Sequence, residues 1–534
     1  MIRIRELKIS AKQEQNLMKA IMEQLKLETE EIIDYRVYKR SVDARRKENI
    51  MFVYIIDVHV KNEKSVLNRL KRNKNIALMP EEPPVEANVN KGNLKLEKPP
   101  VIIGTGPAGL FCGLYLAEKG YRPILLERGE KVEQRVKDVY DFWKNGKLNP
   151  ESNVQFGEGG AGTFSDGKLT TRIKDPRCRY VLKKLKEHGA PEEILYDSKP
   201  HIGTDKLRNV VAEIRKSIIR EGGQVLYGHK VTELQIEKGE IKGVEIENKG
   251  HLETSIVIAA MGHSARDLFE SFYQSGVPME AKAFSLGVRI EHPQKQINLI
   301  QYGTDKNAHI LGAADYRLSW HHPMGRGAYT FCMCPGGMVV ASASEAGSVV
   351  TNGMSAYGRK GKNANSALLV SVTPKDFEGD DPLAGMRFQR KWEQEAFKLG
   401  GEKYHAPVQR VEDFLASRPS RELGSVLSTY RPGITPTELT SCLPPYVTEV
   451  LREALKKWDQ KMKGFALKDA LLTGVETRSS SPLRIKRNER MESDVKGLYP
   501  SGEGCGFAGG IMSAAVDGIR SAEAVLERYY LSEN

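Results

Sequence analysis

The chain has 534 residues, 40% hydrophobic and 28% charged, which excludes a single ordinary core and fits a soluble globular α/β protein of roughly two to four domains. Lys and Arg outnumber Asp and Glu 81 to 69, a formal net charge of +12, which suits a phosphorylated or carboxylated ligand or a solvated basic surface and by itself names no partner. No apolar run is long enough to span a bilayer, the start Met1-Ile2-Arg3-Ile4-Arg5-Glu6 lacks a signal peptide's apolar region, and six scattered cysteines fit neither a disulfide framework nor a zinc site. A cytoplasmic protein with reduced thiols, no metal and no membrane partner is expected.

Residues 1–78 open on an alternating strand, Ile2 to Ile9, followed by Leu17, Ile21 and Leu25 at helix spacing. Then come Ile32 to Tyr38, a basic turn from Lys39 to Lys47, the strand Met51 to Val60 and a helical stretch Lys64 to Lys71. This reads as a small α+β domain of βαββα order. Its basic turn is read as a hairpin tip in water, because no RNA-module signature accompanies it. A polar, proline-rich linker over 79–98 makes the unit an appended module.

An apolar strand, Val101-Ile102-Ile103, then runs into Gly104, Gly106 and Gly109 at G-x-G-x-x-G spacing. A helical segment continues through Lys119, and a second strand from Pro123 ends on Glu127, 18 residues beyond Gly109. That order defines a dinucleotide-binding βαβ unit. Gly104 allows the tight turn, Gly106 lets a pyrophosphate approach the backbone, and Gly109 lets helix and strand pack closely. The anion is expected at the positive helix end beside Pro107 and Ala108. Glu127, with Arg128 next to it, is placed to accept hydrogen bonds from a ribose hydroxyl pair.

Gly157, Gly159, Gly160 and Gly162 fall within six residues, with Ser165, Asp166 and Lys168 close behind. No apolar strand precedes them, so the segment reads as a loop bearing on the same cofactor through Gly159, Gly160, Ala161, Gly162 and Thr163. An amphipathic helix over Asp205–Arg220, a strand Gln224–His229 and a meander of Val231–Glu237, Ile241–Asn248 and Ser255–Ala260 follow. Val231 and Gly262, at the two ends of the meander, are expected to border the cofactor. His263 is read as a cap of the next helix.

Residues 276–470 read as an inserted substrate or cap domain, with strands at Ala283–Ile290, Tyr329–Met333 and Met338–Ser342. Cys332 and Cys334 alternate in the second and so face the same way. Buried thiols are the economical reading and a redox pair the alternative, against which the strain of a Cys-x-Cys disulfide counts. Arg359, Lys360 and Lys362 are placed to receive an acidic substrate, with a surface loop as the competing account. Helices are expected over Lys375–Leu399 and Val447–Lys463.

Gly497 to Gly510 completes the pattern with a strand and a glycine-rich turn that start the helix Ile511–Arg528. Gly502, Glu503, Gly509, Gly510 and Ile511 are assigned to the cofactor. The polar residue after Gly502 would reach the ribityl or phosphate part of a flavin nucleotide, and the helix would aim its positive end at the flavin pyrimidine. A plain NAD enzyme needs no such return of the C-terminus, so FAD is expected. The binding domain is therefore discontinuous, over 99–275 and 471–534.

These glycine segments, together with Leu286-Gly-Val-Arg-Ile-Glu-His-Pro293, Cys334-Pro-Gly-Gly, Asn352-Gly-Met-Ser and Gly474-Val-Glu-Thr-Arg-Ser-Ser-Ser-Pro482, make nearly the whole chain resemble the uncharacterised FAD-dependent dehydrogenase family of prokaryotes. The resemblance implies a Rossmann-like, glutathione-reductase-like α/β fold with Gly104, Gly106, Gly109, Glu127, Gly502 and Glu503 at FAD. Many relatives of the wider superfamily carry Gly-Asp where this chain has Gly502-Glu503. The family has no settled substrate. Arg478 is the candidate anchor for a carboxylate or the flavin carbonyl edge, competing with an interface salt bridge. Cys505 is the second catalytic candidate, competing with a packed core thiol. The expected function is an FAD-dependent oxidoreductase passing a hydride between flavin N5 and a small, acidic organic substrate, with NAD(P)H as a transient donor. An RNA-modifying flavoprotein and a non-catalytic redox sensor are the alternatives, with nucleic acid not favoured as a partner.

Overall fold

Short apolar runs with glycine close behind them form a five-stranded parallel sheet in the order Leu498–Pro500, Val257–Ala259, Val101–Ile103, Ile124–Leu126, Gln224–Leu226. A parallel sheet covered on both faces selects continuous apolar strands over alternating ones, and the three inner strands are almost wholly buried. The computed structural model describes residues 1–80 and 92–531. On one face of the sheet the helices Pro107–Glu118 and Ile511–Leu526 pack so closely that a Cβ on Gly518 would stand 2.1 Å from the Ala108 carbonyl oxygen. The other face carries the antiparallel strands Val231–Glu237, Glu240–Ile246 and Gly250–Glu253 and the helix Arg266–Gln274. The last of these strands precedes the expected Ser255–Ala260 and has no counterpart in the sequence reading.

The inserted region is built on a mixed sheet of eight strands. Its main path runs Ser319–His321, Gly327–Ala341, Asn363–Val372, Phe284–Pro293, Leu471–Glu476, Ala406–Arg410, Ile434–Pro436, and Thr351–Met354 pairs with the far end of Gly327–Ala341. The helices Ala384–Leu399 and Pro445–Lys461 cover it with the largest apolar core. Leu471–Glu476 pairs with Phe284–Pro293 and Ala406–Arg410, so the inserted sheet extends past the expected boundary at 470. The chain leaves and returns through a two-stranded ribbon, Met279–Ala281 against Leu483–Ile485. The strands expected at Tyr329–Met333 and Met338–Ser342 are one bulged strand, its register shifting on both sides of Cys334.

Residues 2–78 form a four-stranded antiparallel sheet, ordered Ile32–Asp43, Met51–Val60, Ile2–Ser10, Ile76–Leu78, with its own core under the helices Leu17–Leu25 and Glu63–Arg69. The strand Ile32–Asp43 runs through Lys39 and Arg40, which the sequence placed in a turn, because these residues keep pairing with Met51–Val60, and Arg40 also docks on the body through Asp197 at 2.8 Å. Most of the expected linker, 81–91, lies outside the described residues, while Leu94–Leu96 pairs in parallel with Tyr529–Leu531. Among the described residues no helix is long and apolar enough to cross a membrane.

Candidate active site

Gly104 ends the first parallel strand at φ +99°, and a Cβ there would meet the Ala260 carbonyl oxygen at 2.8 Å. Gly106 then caps the helix that starts with Pro107, a residue suited to a first helical position because it has no N–H to leave unsatisfied. Gly109 is in contact behind the turn, where a Cβ would stand 2.0 Å from the Gly104 carbonyl oxygen. Gly160 brings a second backbone alongside, its Cβ position 3.0 Å from Gly106 Cα. By contrast, added Cβ atoms at Gly262 and Gly509 would meet nothing within 4 Å. These glycines border open space.

That space is a cavity of about 430 Å³, within the range of cofactor pockets. Along the first βαβ unit its wall is Gly104, Gly106, Pro107, Ala108, Glu127 and Arg128. Gly160, Ala161, Gly162, Val231 and Gly262 continue it, and Glu503, Gly509, Gly510 and Ile511 close the C-terminal side. Four residues expected at the cofactor stand behind this wall. Gly109 serves helix packing; the Gly159 N–H donates to the Thr105 carbonyl at 2.8 Å; Thr163 Oγ1 donates to the Glu158 carbonyl at 3.2 Å; and the Gly502 N–H donates to Asp517 at 2.8 Å. The helices Pro107–Glu118 and Ile511–Leu526 both start at the cavity with no acidic residue in the first turn, so two positive helix ends converge there.

Glu127 ties this architecture together. Its carboxylate accepts from the Thr105 N–H at 2.9 Å, Thr105 Oγ1 at 2.8 Å, and the Gly129 and Gly157 N–H groups at 3.0 Å each. A carboxylate has about four acceptor positions, so the ribose contact expected of Glu127 competes with its work of joining the two glycine loops. Fully buried Arg135 holds the second loop from below by donating to the carbonyls of Asn153, Val154, Gly157 and Glu158. Arg128 is spanned between Glu151 at 2.7 Å and Asp267 at 2.8 Å.

His263 does not cap the following helix, whose N-cap is Ala265 with no side-chain bond. It pairs through Nδ1 with Glu503 at 2.8 Å on the cavity wall. Arg478 also reaches the wall, but its guanidinium donates to Glu393 at 3.1 and 2.9 Å and to the hydroxyls of Ser264 and Ser344. Its charge is spent on Glu393 within the inserted region, and it reaches the nucleotide domain through Ser264, which removes it as a substrate anchor. Cys505 is corrected too. It is fully buried, donates to the Ala259 carbonyl at 3.1 Å, and burial pushes its thiol up to about 12. Arg359, expected to meet an acidic substrate, is engaged by Asp166 at 2.5 Å.

The far end of the cavity holds groups that sequence reasoning missed or left unassigned: Lys168, Cys332, Asn352 and Glu476. Burial pushes the Glu476 carboxyl up to about 7 despite Arg289 beside it at 3.4 Å. Burial also opposes the ionisation of Asp166, yet Lys168 and Arg359 hold it at about 2. The neighbouring Cys334 lowers the Cys332 thiol, aided by Lys168 and Arg289 against burial, and Cys334 itself is pushed up. Glu476 lay within a quoted motif, but no spacing in the sequence connects it to Cys332 or Lys168.

Residues 283–479 match the family described as "FAD-dependent protein, C-terminal domain-like", and residues 1–59 match "Domain of unknown function (DUF8436)". A Clostridium beijerinckii protein, named only as uncharacterized, is 50% identical over 533 residues, covering 99% of each chain. A thiamine thiazole synthase of Methanococcus maripaludis is 25% identical over 173 residues, 32% of this chain and 54% of that one. Among solved structures, an L-proline dehydrogenase from P. horikoshii aligns over 81% of this chain and 94% of its own at 14% identity and a TM-score of 0.37. A glycerol-3-phosphate dehydrogenase from Bacillus halodurans complexed with FAD aligns over 81% and 64% at 13% identity and a TM-score of 0.36. The family matched over 283–479 is FAD-dependent, and the glycine cradle with two converging helix ends fits a dinucleotide. The cofactor is FAD.

Proposed function

The chain belongs to the same family as the Clostridium beijerinckii protein, and from that premise we propose that it is an FAD-dependent oxidoreductase that exchanges a hydride between flavin N5 and a small organic substrate bearing an anionic group. FAD supplies the two-electron chemistry, and the protein supplies binding, orientation and proton handling. The observation that carries the reading is the continuity of one cavity from the glycine turns at Gly104–Pro107 and Gly509–Ile511 to the polar wall of Lys168, Asn352 and Glu476 on the inserted sheet.

Each end has a distinct task. The two helix ends bind anionic parts of the cofactor through backbone N–H groups. At the other end, the Lys168 ammonium attracts a carboxylate or phosphate substrate. Glu476, with its carboxyl at about 7, suits a general acid or base at neutral pH. Oxidation of an alcohol or amine carbon releases a proton for each hydride lost, and Glu476 is the group on that wall able to take it. NAD(P)H as a transient donor remains part of the proposal, with the hydroxy-acid or amino-acid class as the principal substrate.

The test is anaerobic reduction of the purified holoprotein. Heat-released cofactor should be FAD, and a panel of amino acids, hydroxy acids and phosphorylated polyols should include at least one that bleaches the flavin, with turnover on addition of an artificial acceptor. Absence of FAD, or failure of the whole panel and of NADH and NADPH to reduce it, defeats the reading.

A further inference from the structure

Cys332 and Cys334 are two thiols on one strand that the chemistry above does not use. The strand Gly327–Ala341 pairs regularly with Asn363–Val372 as far as Phe331 and Ala367, then jumps to Cys334 and Asn365. At the jump Cys332 takes φ +43°, a conformation that side chains other than glycine adopt rarely. The bulge turns Cys332, half-buried, onto the cavity wall, while Cys334 stays fully buried. The Cys334 thiol donates to the Cys332 carbonyl oxygen at 3.3 Å.

Charged groups face the pair from three other elements. Lys168, from the glycine-rich loop, is bonded to the Met333 carbonyl and lies 3.4 Å from Asp166. Arg289, from the strand Phe284–Pro293, is fully buried and donates Nη2 to the Cys332 carbonyl at 3.1 Å. Its Nη1 is buried with no hydrogen-bond partner among the described residues. Glu476, from the strand Leu471–Glu476, stands beside Arg289. Two cations against one thiol, one with an unused donor, make a setting that favours a thiolate. Cys112 and Cys442 have no such setting: burial, with Asp517 near the first and Glu395 near the second, drives their thiols upward.

We propose that Cys332 and Cys334 are a reversible dithiol–disulfide pair that exchanges an electron pair with the flavin. The proposal rests on the FAD reading above for its electron partner. In the oxidising direction the Cys332 thiolate and the Cys334 thiol form one S–S bond, the S–H bond of Cys334 breaks, and two electrons and that proton pass to oxidised flavin. The reverse step breaks the S–S bond and restores thiolate and thiol. A Cys-x-Cys disulfide closes a small ring away from ideal geometry, and such bonds are readily reduced. The pair is therefore a labile store at the cavity wall. The protein holds one electron pair more than its flavin alone.

Two measurements test this. Apoprotein equilibrated with glutathione and glutathione disulfide, then alkylated and mapped by mass spectrometry, should show an intramolecular Cys332–Cys334 link. The link should vanish in both Cys332→Ser and Cys334→Ser, and Lys168→Met should slow iodoacetamide alkylation of Cys332 several-fold near neutral pH. In oxidised holoprotein, anaerobic dithionite titration should consume an extra electron pair per flavin in the wild type and not in Cys334→Ser. Persistence of both free thiols across the redox series, or equal uptake by wild type and Cys334→Ser, overturns the proposal. Absence of flavin from the purified protein would count against the FAD reading, while the apoprotein measurement still decides whether the thiols pair.

Discussion

Burial and charge pull against each other at Glu476. Its carboxyl rises from 4.5 to about 7 in the folded protein, so between those values the folded state binds more protons than the unfolded chain. Stability is then greatest below the lower value and declines as pH rises through the window, by about 3 kcal/mol at ~1.4 kcal/mol per pH unit. Glu476→Gln should flatten that decline, so its unfolding free energy relative to wild type improves from about pH 5 to about pH 8 in urea titrations. The same variant should lower kcat by about a hundredfold or more if Glu476 moves the substrate proton. Gly262 offers a different single-residue test, since a Cβ there meets nothing within 4 Å. Gly262→Val should leave apoprotein stability within about 1 kcal/mol of wild type and abolish the rise in melting temperature on adding FAD. The sequence placed Gly262 at the cavity and misassigned His263 beside it. Glycine reports a backbone need locally, whereas a histidine's partner, here Glu503, comes from distant chain.

Helix-to-helix contact decides whether the two positive ends meet at one cavity. Gly518 lies against Ala108, with room for no Cβ, so the helices Pro107–Glu118 and Ile511–Leu526 approach at backbone distance. Gly518→Val should force them apart, costing about 3 kcal/mol by overpacking. FAD affinity should fall about tenfold or more in the same variant, since ~1.4 kcal/mol lost at the site suffices. Isothermal titration with FAD and chemical denaturation check the two effects separately. Most elements near these helices were legible, because apolar periods of one helix face or one buried strand are local properties. The strand Gly327–Ala341 was read as two pieces, since its glycines and the bulge at Cys334 interrupt the alternation that marks a strand. Leu471–Glu476 fell beyond the expected boundary at 470, because wholly buried strands of either sheet carry the same apolar signature.

Across the whole molecule, the N-terminal unit has a core of its own, whereas the inserted and nucleotide domains share theirs, with Phe142, Trp143 and Phe164 packed into the inserted core and Leu383 and Met386 into the nucleotide one. The N-terminal sheet docks through Arg40, whose guanidinium meets Asp197 at 2.8 and 3.2 Å, and through Lys47 on the Ile300 carbonyl at 2.8 Å. These contacts use part of the basic excess that the sequence left open between a solvated surface and a polyanion site. Asp197→Ala should cost about 1 kcal/mol and raise hydrogen exchange along Ile32–Asp43, leaving the FAD-induced melting shift unchanged. A collapse of FAD binding in that variant would mean that the appended unit takes part in the cofactor site. Between the other two units, Arg478 and Arg266 converge on buried Glu393, whose carboxyl they hold far below its ordinary range although burial opposes them.

The sequence by itself determined the nucleotide turn, the return of the C-terminal glycine segment and the choice of FAD, because each depends on residue types at short, fixed spacing. Only the tertiary structure decided which side chains face the cavity beyond those turns. Arg478 and Cys505 looked available from their neighbours in the chain, and folding committed one to Glu393 and buried the other. Glu476, Lys168 and Cys332 come together from a strand near the end of the inserted region, a glycine loop and a bulged strand. Their meeting depends on sheet pairing and burial over long sequence separations, for which no local pattern exists.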